Sequence, residues 1–310
     1  MGSFRSLKMS LHKISLEERK GELFIFSEAV LWSFFPIVTV LTYSALPSLA
    51  SLAWSTLFAA MSFGALVLYR KTWRELLNPI LWRYIFFIVL FLGVLFYYFF
   101  FTGLSKTTAG NAGIIALFEI FTSFLFFHVL RDETISRDHK LGALLMVVGA
   151  IIVLAPNFSS IKTGDFFILA ATFCAPWGNL FQQRARKIAS SESILFLRSI
   201  LSVPILFVLA AALGASAPLD SVKSSLPFLI INGAVLLGFS KILWIEGIHR
   251  ISVTKANALN SITPLLTLLL AWPILHEIPS AWQLFSLIPL LVGTLLLTNQ
   301  IKIVSKSLLL

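Results

Sequence analysis

Long apolar runs alternate with short polar segments along the chain from residue 22 to residue 300. Each run is about 17 to 25 residues long, which is the length that an α-helix needs to cross a bilayer. The pattern predicts ten membrane-spanning helices. They cover residues 22–42, 47–69, 80–102, 109–130, 139–156, 164–183, 193–213, 226–248, 253–275 and 281–300. The connections are short, so we expect no separate soluble domain.

The composition supports an all-α polytopic membrane protein. Hydrophobic residues make up 58% of the 310 residues and charged residues only 12%, whereas soluble domains average about 25% charged residues. A soluble core could not bury so much apolar sequence. The single cysteine, Cys174, lies in an apolar run without metal-ligand spacing around it, so we expect a small buried side chain and no metal site.

The net charge of +10 changes the picture through its distribution. Nineteen of the 24 lysines and arginines fall on the side of the N-terminus, and three (Lys106, Lys162 and Lys223) fall on the other side. The last two, Arg198 and Lys241, lie within predicted spans. Because cytoplasmic loops are enriched in lysine and arginine, this bias predicts that both termini are cytoplasmic. We therefore expect the basic charge to orient the protein in the bilayer rather than bind nucleic acid.

The two halves of the chain resemble one another. The segment "GLSKTTAGNAG" (103–113) aligns without gaps with "GIHRISVTKAN" (247–257), and the same offset aligns Glu133 with Glu277. Five spans are thus repeated, and because five is odd the second copy must enter the membrane in the opposite sense. Such inverted repeats are a recurrent plan of secondary transporters, with the substrate held between the halves. A duplicated structural protein is the alternative.

A second alignment extends the repeat to its first span. The segment "GELFIFSEAV" (21–30) meets "GDFFILAATF" (164–173). The predicted organisation is a cytoplasmic N-terminal segment (1–20), two five-helix repeats (21–156 and 164–300) and a cytoplasmic tail (301–310).

The repeated segments also carry a resemblance to a known family. The copies read "GLSKTTAGNAGIIALFEIFTSFLFFHVLRDE" and "GIHRISVTKANALNSITPLLTLLLAWPILHE", and each ends in a glutamate. Together with "LWSFFPIVTV" in span one and "PWGNLFQQRARK" in span six, they resemble the drug/metabolite transporter superfamily of the EamA type. The resemblance implies a carrier of small polar metabolites or drugs. It does not define the substrate, since such families carry amino acids, nucleotide-linked metabolites or cationic compounds.

One position departs from the family pattern. The second copy has Pro264 in mid-helix, whereas the first copy has Ile120 there, directly preceded by Glu119. A carboxylate inside a span costs a few kcal/mol or more, so Glu119 calls for an explanation. Ala116 and Glu119 lie on one helical face, as do Asn257, Asn260, Pro264 and Thr267 in span nine.

Polar and aromatic side chains inside the spans predict a central cavity with an aromatic wall, two acids and an amine. The candidate substrate-binding or coupling residues are Glu28, Trp32, Tyr97, Tyr98, Glu119, Trp177, Lys241, Trp244 and Asn260. An ammonium group could meet Glu119 or Glu28, and a carboxylate could meet Lys241. A zwitterionic amino acid would satisfy both charges.

Several alternatives remain open for these charges. Glu28 and Lys241 could form a structural ion pair, and Glu119 could stay protonated between helices or exchange a coupling proton. We expect Arg198 to snorkel towards the cytoplasm, and Glu246 to pair with Lys255.

The sequence favours a secondary transporter that moves amino acids or related amine-bearing compounds by alternating access, in export or exchange. The alternative is a carrier of organic anions or nucleotide-linked metabolites that uses Lys241, with Arg198 as a second candidate. No phosphate loop, HExxH or GxSxG motif is present, so we expect neither an ATPase nor an enzyme, and no cofactor. A channel fits inverted repeats poorly. We expect a bacterial inner (plasma) membrane location.

Overall fold

The computed structural model describes residues 16–131, 136–154, 163–251, 253–298 and 300–301, and these residues are helical apart from short turns. Most of the predicted terminal segments, 1–20 and 301–310, lies outside them. The longer helical segments are labelled α1 to α10 in chain order. They are Leu16–Thr42, Ser48–Tyr69, Pro79–Leu104, 109–131, Arg137–Leu154, Thr163–Ala185, Ser191–Ala212, Leu226–Arg250, 253–275 and Ala281–Leu297.

Seven helices of the described residues are long and apolar enough to cross a membrane, and α10 is a shorter apolar helix. The two labelled helices outside this set are α5 and α6. Helix α5 begins with Arg137, Asp138 and Lys140, and α6 carries Asp165 and Asn179 among its apolar residues. These polar residues lower their hydropathy, so the apolar pattern alone identifies the other helices more clearly.

Interruptions of the helices recur at equivalent places in the two halves. Helix α3 contains a π-helical segment, Val89–Leu95, and α8 contains another, Ile231–Phe239. Helix α4 is broken at Leu117, and α9 is broken between Asn260 and Thr263. Such π-segments and breaks leave backbone groups without their usual helical partners, and π-segments often mark functional sites. Their positions therefore indicate a functional site in the middle of the bundle.

In the contact between the two halves, a helix of each half packs on a helix of the other. Helix α1 packs on α8 and, equivalently, α6 packs on α3. Equivalent helices also contact one another: α2 packs on α7, α4 on α9, and α5 on α10. Along α5 and α10, Gly142 lies beside Gly293 and Leu297, whereas Gly149 lies beside Leu290 and Ser286. Along this contact the residue numbers of α5 increase while those of α10 decrease, so these equivalent helices run antiparallel.

Two close glycine contacts show the same symmetry. A Cβ on Gly103 would lie 2.7 Å from the carbonyl oxygen of Gly164, so only glycine allows α3 and α6 to approach this closely. The equivalent pair is Gly247 and Gly21, where a Cβ on Gly247 would lie 3.4 Å from the carbonyl oxygen of Gly21. The repeat offsets that align the sequences therefore also relate contacts between the halves.

Candidate substrate site

A cavity of about 950 Å³, part of it open to the surroundings, lies between the two halves. Its lining comes from α1, α3, α4, α6, α7, α8 and α9. The helix interruptions reach it, through Leu92 in the π-segment of α3, Leu117 at the break of α4, and Thr263 after the break of α9. The polar and aromatic residues of the lining are Trp32, Phe96, Tyr97, Phe100, Glu119, Asn179, Gln182, Arg198, Lys241, Trp244, Asn257, Asn260, Thr263 and Thr267.

Glu28 and Lys241 form an ion pair beside the cavity. The Nζ of Lys241 donates to Oε1 of Glu28 at 2.7 Å, and Glu28 is fully buried. The same Nζ lies 3.2 Å from the centre of the Trp32 ring, within the range of a cation–π interaction. Trp32 in turn stacks on Phe35. The alternative of a Glu28–Lys241 ion pair is thus the observed arrangement, and the charge of Lys241 is compensated locally.

Glu119 is the acidic residue of the lining. Its Oε1 accepts a hydrogen bond from Nδ2 of Asn179 at 3.1 Å, and the side chain is half-buried. Among the described residues, no lysine or arginine forms an ion pair with Glu119. Its carboxylate therefore faces the cavity with a neutral amide as its hydrogen-bonding side chain.

Arg198 lies in the cavity wall, and the expectation that it snorkels is wrong. Its side chain belongs to a residue only 4% exposed. Its guanidinium carbon lies 5.8 Å from the centre of the Tyr97 ring. The first turns of α7 are themselves buried, including Ser193 and Ile194, so the side chain has no short path to water.

The polar stripe of α9 faces the cavity as its spacing indicates. Asn257, Asn260, Pro264 and Thr267 all contribute to the lining. Oδ1 of Asn260 accepts a hydrogen bond from Oγ1 of Thr263 at 2.6 Å. This bond joins the two pieces of α9 across its break.

Tyr98 and Trp177 are not among the residues that line the cavity. Consecutive residues of a helix point about 100° apart, so Tyr97 turns inwards while Tyr98 packs against Phe99 at a centroid distance of 5.4 Å. Trp177 is 43% exposed and stacks on Phe91. Sequence reasoning counted both residues as site candidates because of their residue type or their place in a family motif. It did not consider which face of the helix each residue occupies.

Three polar residues of the lining were missed by sequence reasoning: Asn179, Gln182 and Thr263. Arg198 was considered only for the anion alternative. The spacing of Ala175, Asn179 and Gln182 puts them on one face of α6, and that pattern could have identified the two amides. The burial of Arg198 depends on contacts between distant helices, which no local pattern reports.

The side rich in lysine and arginine carries an ionic network. Glu246 accepts from Arg250 at 2.6 Å, from Ser191 at 2.7 Å and from Arg186 at 3.0 Å. The expected pairing of Glu246 with Lys255 is therefore wrong. Lys255 contacts Glu18 at 2.6 Å, and it also contacts Glu22. The two residues are bound into separate groups because α1 approaches the start of α9.

The opposite side has a related but less charged arrangement. Asp165 accepts from Thr107 and from Asn111, and Asn111 accepts from Gln283 at 2.7 Å. The repeat offsets align Asp165 with Glu22 and Asn111 with Lys255, so the same contact between the halves is ionic on one side and carboxylate–amide on the other.

Glu277 binds the N-terminus of α4. Its two oxygens accept from the backbone N–H groups of Ala109 and Gly110, each at 3.2 Å. A carboxylate there satisfies free N–H groups and complements the helix dipole. Its repeat equivalent, Glu133, lies outside the described residues. Helix capping accounts for the glutamate that closes the second copy of the family motif.

No group of three or more metal-ligating side chains occurs in the described part of the chain. Apolar helices with a polar cavity between two similar halves are the features of a membrane transporter. This class is the one that the fold and the site define together.

The comparisons with known proteins agree with that class. The model of the EamA-like transporter family matches residues 19–155 and again residues 162–299. The chain therefore belongs to the EamA-like transporter family, as its motifs indicated.

Individual relatives are more distant. An uncharacterized transporter of Methanothermobacter thermautotrophicus is 28% identical over 209 residues, which are 64% of this chain and 59% of that protein. An uncharacterized transporter of Synechocystis sp. is 23% identical over 208 residues, 63% of this chain and 59% of that protein. The chain thus matches about 59% of the length of each relative. A crystal structure superposes with a TM-score of 0.68 at 20% identity, covering 91% of this chain and 98% of that chain, and it shows the fold alone.

Proposed function

We propose that this protein is a secondary transporter of small, polar, amine-bearing metabolites, amino acids among them. The observation that carries the proposal is Glu119, a carboxylate in the cavity that forms no ion pair with a lysine or arginine of the described residues. An ammonium group of a substrate would supply the missing positive charge.

The aromatic lining supports a cationic group at this place. Trp32, Tyr97 and Trp244 contribute to the cavity surface. Aromatic faces attract cations, and they provide flat apolar area for the remainder of a small metabolite. A cavity that combines one acid with aromatic walls favours an amine over a purely apolar compound.

The proposed mechanism is alternating access by two inverted five-helix repeats. In this arrangement α1 to α10 all cross the membrane and both termini are cytoplasmic. The antiparallel packing of α5 on α10 supports inversion, and the lysine and arginine bias supports the orientation. The breaks of α4 and α9 beside the cavity offer positions at which the helices bend as one side closes and the other opens.

Export or exchange is the proposed direction, with a proton on Glu119 as the candidate coupling ion. The proposed location is the bacterial inner (plasma) membrane. The two named relatives come from prokaryotes, which is consistent with that location.

The alternative of an organic-anion carrier that relies on Lys241 has less support. Lys241 is already paired with Glu28 at 2.7 Å. Recruiting it would require breaking a buried pair, and a buried charge left without a partner is strongly destabilising.

The test is ligand-induced stabilisation of the detergent-purified, full-length protein. The panel contains amino acids, simple amines, organic acids and nucleotide compounds at pH 6 and pH 8. A ligand that binds the folded state raises the melting temperature by mass action. We expect amines and amino acids to stabilise the protein. The stabilising compounds should then show saturable counterflow in proteoliposomes. Stabilisation by organic or nucleotide anions alone would overturn the proposal.

A further inference from the structure

We propose that Arg198 is the subsite for a substrate carboxylate, and that Arg198 and Glu119 together select zwitterionic amino acids over simple amines. The inference rests on the proposed function and deepens it, because it assigns the second charge of the substrate to a residue of the cavity wall.

Arg198 is a buried charge without an acidic partner among the described residues. The residue is 4% exposed and lines the cavity. The contact that the structure gives its guanidinium is with the ring of Tyr97, and no carboxylate of the described residues forms an ion pair with it. A charge removed from water needs an opposite charge or several hydrogen bonds to offset its desolvation. A carboxylate in the cavity would meet that need.

Lys241, the other basic residue of the lining, is unsuited to this role. Its Nζ donates a hydrogen bond to Oε1 of Glu28 at 2.7 Å, and the same Nζ lies 3.2 Å from the centre of the Trp32 ring. An arriving carboxylate would compete with Glu28 for the same group. The structure thus leaves Arg198 as the cavity cation that is open to an anion.

The geometry of a guanidinium suits a carboxylate. Its planar fork donates two parallel hydrogen bonds to the two oxygens, which a lysine ammonium cannot do. Tyr97 lies against Arg198, and Tyr97, Arg198 and Glu119 all line the same cavity. The cation and the acid are therefore presented to one cavity, as the two ends of a small zwitterion require.

The experiment compares three ligands that differ in one charged group. Phenylalanine has both groups, phenethylamine lacks the carboxylate, and hydrocinnamate lacks the amine. Binding to the full-length, purified protein is measured by calorimetry for the wild type and for Arg198→Gln, Arg198→Lys and Lys241→Gln. Arg184→Gln is the matched control, because Arg184 is exposed on α6 and does not line the cavity.

We expect Arg198→Gln to weaken phenylalanine binding about thirtyfold or more, since truncating one partner of a buried charge pair has an effect of that order. Phenethylamine should bind the variant as it binds the wild type, which also shows that the variant is folded. Arg198→Lys should recover part of the loss, and Arg184→Gln should bind all three ligands normally.

Other results would overturn the inference. If phenethylamine and phenylalanine bind the wild type equally well, the carboxylate has no subsite, even where Arg198→Gln does not fold. If Lys241→Gln removes the preference for phenylalanine and Arg198→Gln keeps it, the carboxylate binds at Lys241. If neither amine-bearing ligand binds the wild type, the proposed function itself fails, which is distinct from the failure of Arg198 alone.

Discussion

Glu119 is the residue whose charge the proposed function depends on most directly. Glu119→Gln retains the size of the side chain and an oxygen that can accept from Asn179, but it removes the charge. We expect amine binding to weaken at least about tenfold, in line with the loss of a charge-assisted hydrogen bond. Calorimetry with phenethylamine at pH 6 and pH 8 measures the change.

The same variant tests whether Glu119 carries a coupling proton. Transport by Glu119→Gln in proteoliposomes should no longer respond to an imposed pH gradient. Asp220→Asn is the matched control, because Asp220 is exposed outside the cavity. If Glu119→Gln transports as the wild type does at every pH, both the binding role and the coupling role of Glu119 are contradicted.

The Glu28–Lys241 pair is predicted to act as a structural unit. Removing one partner, in Glu28→Gln or Lys241→Met, leaves the other group buried without its partner, so each single change should destabilise the fold by about 3 to 5 kcal/mol. The double variant removes both groups and should recover most of that loss. Thermal unfolding in detergent measures all four proteins. Additive destabilisation in the double variant would show that the pair contributes little to folding.

At the scale of the element, apolar run length and helical spacing predicted much of the architecture. The stripe of Asn257, Asn260, Pro264 and Thr267 reaches the cavity because a helical face is a local property. Trp177 was chosen for its residue type, which does not indicate the helical face on which it lies, and it does not line the cavity. The burial of Arg198 could not be predicted, because it arises where α7 meets α3, far away in sequence.

Glu277 gives a prediction about the start of α4. Because its carboxylate accepts from Ala109 and Gly110, Glu277→Ala should lower the free energy of unfolding by about 1 kcal/mol, the usual contribution of a helix cap. Glu277→Gln should lose less, since its amide oxygen still accepts one bond. Thermal unfolding measures both. Transport that fails in Glu277→Gln while stability is unchanged would indicate a role beyond capping.

For the whole molecule, the sequence repeat and the charge bias predicted two related halves and an orientation. They did not predict that α1 packs on α8 and α6 on α3, or that equivalent helices pair with one another. An alignment offset relates positions without stating which of them touch. The glycines of the pairs Gly103–Gly164 and Gly21–Gly247 were the sequence signal for two of these contacts, because glycine at aligned positions permits close backbone approach.

Inversion of the repeats leads to the last prediction. Lys71 and Lys223 are exposed residues that lie between the second and third helices of the two copies, so inverted copies would put them on opposite sides of the membrane. In a Cys174→Ala background, which removes the native thiol, a cysteine at Lys223 should react with a membrane-impermeant maleimide on intact cells. A cysteine at Lys71 should react only after the membrane is opened. Labelling of both from the same side would rule out inversion, and with it the proposed mechanism of alternating access by two opposed halves.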